Sequence, residues 1–194
     1  MKTSKLQKKV TSKSGFTLVE LLVVIAIIAA LATLGTQAGL GAMKRADKVK
    51  SQAAVTALAN SVEAFYADNN VYPNLGSGTA IETNGQGDGK TLIEALVAEE
   101  SQPVINVRKI KYLEANEAKN GKNGIDYEGE SYSFTDKEGV PYQVQWDDDY
   151  DGLIQDPFGG DEIRKGVIAF GRGMNEVSDW EGGTRKEVQA VKSW

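Results

Sequence analysis

An α+β fold is predicted: one long N-terminal helix packed on a small antiparallel sheet with long loops. Three observations predict it. From Phe16 to Leu34 only Thr17, Glu20 and Thr33 interrupt a run of hydrocarbon side chains. From Val55 through Leu58 and Val62 to Phe65 the apolar residues return every three or four positions, the period of a helix with one buried face. Further on, Val140, Tyr142, Val144 and Trp146 alternate, as in a strand buried on one side.

The first 14 residues carry Lys2, Lys5, Lys8, Lys9 and Lys13 and no acid, which predicts that this end stays in the cytoplasm. The apolar run that follows extends roughly 28 Å at about 1.5 Å per residue, a membrane-spanning length. A secretory signal places its small-residue cleavage site after such a run, whereas here Gly15 stands before it. Glu20 is the exception inside the apolar run. A carboxylate at the centre of a bilayer costs about 2.5–3.5 kcal/mol, less near the interface, so a cationic partner is expected. The plainer alternative is a signal anchor in which Glu20 reaches the interface.

The helix is predicted to continue as an amphipathic segment over residues 36–68. Ala46, Val49, Ala53, Ala57 and Ala64 widen its stripe, while Lys44, Arg45, Lys48 and Lys50 form a basic cluster. That cluster reads as a solvated face near lipid headgroups or as a contact for acidic neighbours. Gly35, Gly39 and Gly41 mark a local weak point, each costing about 1 kcal/mol relative to alanine, or a close-packing patch. Asn69-Asn70 and Tyr72-Pro73 end the helix. Residues 74–90 read as an exposed loop without a core. Gly85 to Lys90 is no phosphate loop, because the glycine spacing is wrong and no buried strand precedes it. Thr91-x-x-Glu94 is a capping box that opens a short helix with Leu92, Ile93, Leu96 and Val97 on its apolar side and Pro103 beyond its end. The stretch 104–115 is too irregular to place, and 115–124 reads as a loop. Tyr132 and Phe134 begin the β signals, Asp136 to Gly139 is a turn, and Val167 to Phe170 is the last strand.

Composition excludes several chemistries. The chain holds neither cysteine nor histidine, so disulfides, Cys or His zinc sites, thiol nucleophiles and imidazole-based triads are absent. Its net charge is −5, and −10 without the five N-terminal lysines, which argues against a broad basic face for nucleic acid. No carboxylate pair sits in an apolar setting that would tune it for acid–base work, so no catalytic residue is assigned and no enzyme is expected. Asp147, Asp149 and Asp151 alternate ahead of Gly152 and Ile154, which matches the first part of an EF-hand-like calcium loop. The match stops at the twelfth position, where Phe158 stands in place of a bidentate glutamate. Asp156, Asp161 or Glu162 would have to close the shell, and a solvated acidic turn is the alternative. No cofactor is required, and a structural calcium ion is the one cofactor that these residues point to.

The lysine-rich leader, Gly15, Phe16-Thr17-Leu18-Val19-Glu20 and the unbroken apolar helix resemble the class III signal of type IV pilins and type II secretion pseudopilins. The helix exit at Tyr66 to Pro73, the stretch Asp136 to Val144 with Lys137 and Glu138 in place of a proline and a tryptophan, and the closing Ser193-Trp194 are similar to the major, G-like pseudopilins. The resemblance implies that a prepilin peptidase removes residues 1–15 by cutting between Gly15 and Phe16 and methylates the new Phe16 terminus. It implies further that Glu20 pairs with the terminal amine of a neighbouring subunit during assembly. The expected organisation is then a leader (1–15), a transmembrane and assembly helix (16–35), its amphipathic continuation (36–68) and a periplasmic head (69–194). The expected partners are further copies in a filament, other pseudopilins, an inner-membrane assembly platform, the peptidase and membrane lipid, with no nucleic acid. The expected place is the inner membrane, with the N-terminus cytoplasmic and the head periplasmic. The resemblance also points to calcium in the C-terminal loop, where Asn175, Asp179 and Glu181 are the available ligands although the family's two acidic positions are not matched. Two other readings stay open: a pilin of a surface pilus for adhesion, competence or motility, and a membrane-tethered periplasmic binding or hydrolytic domain.

Overall fold

The computed structural model describes residues 15–73, 75, 80–99, 105–127, 131–171, 180–181, 184–185 and 191–194; at 33–40, 180–181 and 184–185 it describes the backbone. The chain divides into two compact units, one ending at Met43 and the other beginning at Lys44. The first helix, α1, is Leu18–Asn69, 52 residues long, and contributes to both. In the first unit every described side chain from Gly15 to Ala32 is exposed. Among the described residues no helix is long and apolar enough to cross a membrane.

The second unit is built on the amphipathic part of α1. Val55, Leu58 and Val62 are fully buried and Phe65 nearly so, which confirms the three-and-four spacing. Each such burial contributes about 1.5–3 kcal/mol. The helix ends one residue later than predicted. Asn70 adopts the left-handed conformation (φ 56°) that asparagine tolerates, and its N–H donates to the Tyr66 carbonyl at 2.7 Å.

The stripe packs on a four-stranded antiparallel sheet of β1 (Ile81–Glu82), β4 (Gln143–Trp146), β5 (Val167–Gly171) and β8 (Val191–Lys192), in that spatial order. A second antiparallel pair is β2 (Gly124–Asp126) with β3 (Ser133–Thr135), and a third is β6 (Trp180–Glu181) with β7 (Thr184–Arg185). Val144, Trp146, Val167, Ala169 and Val191 line the sheet face that joins the core with Leu113, Ile125 and Phe134. The alternation read at 140–146 is thus a strand, although its regular pairing begins only at Gln143.

Two expectations are corrected. Residues 74–90 are not a coreless loop: Ile81 is buried at the sheet edge, and the fully buried Thr83 donates its hydroxyl to the Phe134 carbonyl at 2.7 Å, with the Tyr142 carbonyl at 3.0 Å. The short helix, α2 (Gly87–Val97), opens four residues before Thr91, from Gln86, with no side-chain cap. The reason is steric. A Cβ at Gly89 would lie 1.9 Å from the Glu82 carbonyl oxygen, so only glycine lets the first turn of α2 press on β1. Thr91 then bonds back to the Gly87 carbonyl at 3.0 Å, and Glu94 is buried beside Lys90 at 3.8 Å.

The turn predicted at Asp136 to Gly139 is present. The buried Asp136 accepts the N–H groups of Glu138 at 2.8 Å and Val140 at 2.9 Å, and Gly139 takes a left-handed φ of 87°. Lys137, one of the two departures from the G-like pattern, donates to Asp47 of α1 at 3.1 Å.

Candidate functional site

The N-terminal site begins with two exposed residues, Gly15 and Phe16, that precede the helix. The Thr17 N–H and hydroxyl both donate to Glu20 Oε2 at 2.8 Å, and the Glu20 N–H donates to Thr17 Oγ1 at 3.2 Å. This reciprocal set is a capping box: it satisfies donors that the first turn of a helix otherwise leaves open. Glu20 therefore has a local task besides any partner, which sequence reading missed although Thr17-x-x-Glu20 before an apolar run is its known signature.

The second site lies in the loop after β4. Trp146 ends in the core and delivers Asp147, itself buried, to the start of the loop. Asp147 accepts the N–H of Asp151 at 3.2 Å through one oxygen and of Gly152 at 2.8 Å through the other. Asp151 accepts the Leu153 N–H at 2.8 Å. Gly152 has φ 82°, so the sharp turn falls where glycine was expected. Ile154 is buried and pairs antiparallel with Ile163, which anchors the loop on the unit. Among the described residues the one group of three or more potential ligands is Asp147, Asp149 and Asp151, each with an oxygen within 4.8 Å of the others. Crowding of like charges shows in Asp149. A hydrogen bond shared with Asp147 holds its carboxyl above the usual range, against the lowering effect of the Asp151 N–H.

The closing ligands are not brought in. Asp156 turns to its own loop and accepts the Phe158 N–H at 2.9 Å, while Asp161 and Glu162 are exposed outside the three-carboxylate group. Phe158, at the twelfth position, instead packs on Phe170 with ring centroids 5.3 Å apart, and Trp194 lies 6.1 Å from Phe170. Asn175 and Asp179 lie outside the described residues, and Glu181 is described by its backbone in β6.

An aromatic stack that the sequence did not reveal ties the acidic loop to the helix exit. Tyr150, between Asp149 and Asp151, stacks on Tyr72 at 5.7 Å and approaches Tyr66 at 6.1 Å, while Tyr72 stacks on Tyr66 at 4.4 Å and on Trp146 at 6.2 Å. Burial in this stack, with the Asp147 charge behind it, pushes the Tyr72 hydroxyl up to about 12.

With that geometry in place, known proteins give the class first. Residues 11–36 match the family described as the prokaryotic N-terminal methylation motif, which covers Gly15, Phe16 and Glu20. The particular likeness is to proteins named type II secretion system core protein G. The chain is 37% identical to that of Vibrio cholerae serotype O1 over 71 residues, which is 37% of this chain and 49% of the relative. It is 39% identical to that of Aeromonas hydrophila over 66 residues (34% and 46% of the two chains) and 41% identical to that of Escherichia coli K12 over 64 residues (33% and 44%). The chain spans about half the length of the curated relatives it matches. No solved structure matches.

Proposed function

We propose that this chain is a structural subunit of a type II secretion pseudopilus, assembled by bundling of its apolar helices to support protein export. The single observation that carries the reading is the methylation motif at 11–36 joined to 37–41% identity with core protein G of three species. On this reading residues 16–35 cross the inner membrane once, with the lysine-rich end cytoplasmic and the head outside, and the peptidase cuts between Gly15 and Phe16. The exposed apolar side chains of α1 from Leu18 to Leu31 support it, because such a surface needs lipid or other helices to cover it. In a bundle, the Phe16 amine of one chain and Glu20 of the next neutralise each other where leaving either unpaired is expensive. The work is mechanical, and no residue is given a catalytic role.

A structural calcium ion on Asp147, Asp149 and Asp151 belongs to the same proposal. Part of a donor set for it is in place: three carboxylates, a turn glycine and oxygen ligands alone. When bound, calcium supplies charge neutralisation and stiffens the loop.

Intact mass and N-terminal sequence of the protein from its native membrane, with sheared filament fractions in parallel, test the main reading. The expected result is a mature chain starting at N-methyl-Phe16, with Glu20→Ala processed but missing from filaments. An uncut chain beginning at Met1 means a plain signal anchor, and the filament reading then fails.

A further inference from the structure

The loop 105–111 presents a second charged surface, of opposite sign to the acidic loop. Its shape is fixed from inside by Asn106, which is 1% exposed. The Asn106 amide donates to the carbonyls of Ala95 at 2.8 Å and Ile110 at 2.7 Å, and its Oδ1 accepts the Ile110 N–H at 3.2 Å. Around that staple Arg108, Lys109 and Lys111 are exposed, and Val107, beside Arg108 in the chain, is 79% exposed. None of the three cations has an ion pair among the described residues.

The two loops flank the same end of α1. Tyr112, which closes the basic loop, bonds to Asp68 at 3.1 Å and packs on Phe65. Tyr150, inside the acidic loop, approaches Tyr66. Tyr66 is about 100° around the helix from Phe65 and about 200° from Asp68, so the loops meet different sides of α1 near its end. Each pairs charge with an exposed apolar side chain: Val107 among cations, and Tyr150, 54% exposed, among carboxylates. Both are held in shape before any partner arrives, which lowers the entropy cost of docking.

We propose that the basic loop of one copy docks on the acidic loop of the next copy at the same level, so that Val107 and Arg108 meet Tyr150 and Asp148. This inference rests on the filament reading and adds to it a head-to-head contact. The contact is heterologous, because each copy uses a different patch to reach each neighbour, and repetition extends the assembly beyond a closed dimer, into an open helix in the filament reading. Asp148 is exposed and outside the three-carboxylate group. Exposed pairs of this kind set register and exclude wrong partners more than they add affinity.

The absence of cysteine makes the test direct. Sheared filaments of the full chain carrying Arg108→Cys and Asp148→Cys together are treated with a short bis-maleimide. A ladder of dimers, trimers and longer species is expected, while either single variant stays monomeric. Dimers from a single variant show a symmetric contact and overturn the proposal. So does a missing ladder in filaments that still require Glu20, and that result leaves the filament reading standing; no filaments from the unmodified chain overturns both. If the paired cysteines keep the chain out of filaments, charge reversal decides. Arg108→Glu lowers filament yield about tenfold, the effect of ~1.4 kcal/mol, and Asp148→Arg in the same chain restores it. Additive losses, with head unfolding temperatures unchanged, overturn the proposal.

Discussion

Two stretches of one helix put the same kind of side chain to opposite uses. Leu22, in the first, is 63% exposed, while Leu58, in the second, is fully buried. Apolar residues surround Leu22 along the sequence, yet nothing among the described residues covers them. At Leu58 they come at every third or fourth position and the sheet closes over them. The lesson is that uniform apolarity leaves a helix available to surroundings outside the chain, whereas a stripe commits it to its own fold.

The sharpest way to break this contrast is truncation on each side. Phe65→Ala should destabilise the head by about 3–5 kcal/mol, read as a fall in its unfolding temperature, while Leu22→Ala leaves that temperature unchanged and lowers filament yield. A cation acts on the head alone. Calcium at a hundred times its dissociation constant should stabilise it by about 2.7 kcal/mol in thermal unfolding, and chelation should reverse this. The pH dependence follows from Asp149. Its folded value is raised, so in the cation-free head ionisation is resisted and stability falls slightly as pH rises through that value. With calcium present the sign reverses: stabilisation grows as pH rises through the Asp149 titration and is lost as pH falls, which calcium titrations by calorimetry at two pH values would show.

Thr83→Val removes a buried hydroxyl from two carbonyls without changing shape, and should cost about 1–3 kcal/mol in denaturant unfolding. The smallest effect is expected at Lys137→Met. Its pair with Asp47 is about one-third exposed on both sides, so a double-mutant cycle should return about 0.2–1 kcal/mol, falling with salt.

Long-period features were the legible ones. The stripe from Val55 to Phe65, the stop at Asn70 and the strand ending at Trp146 each repeat a signal over several residues, and each is where it was read. What stayed hidden was set by single long-range contacts. The strand Ile81–Glu82 is too short for any alternation, and it holds its place through pairing with Val144 and Gln143. The start of α2 follows from the approach of Gly89 to the Glu82 carbonyl, which no local propensity records. In the acidic loop the three carboxylates and the turn glycine were readable from spacing, but Tyr150 was not, because its partners Tyr66 and Tyr72 lie far away in sequence. The Asn106 staple is another such case, visible only once Ala95 and Ile110 are seen beside it.

The capping box at Thr17 and Glu20 changes what the proposed assembly would have to overcome. A carboxylate that already holds a hydroxyl and an amide N–H is not stranded while its chain waits alone. Bringing a neighbour's amine to it exchanges one set of bonds for another, and the free energy available is the difference between the two sets. The same threonine is there to take the carboxylate back when a neighbour leaves. If the chain assembles as proposed, this gives it a return path, and the first turn of the helix would make joining and leaving two directions of one exchange.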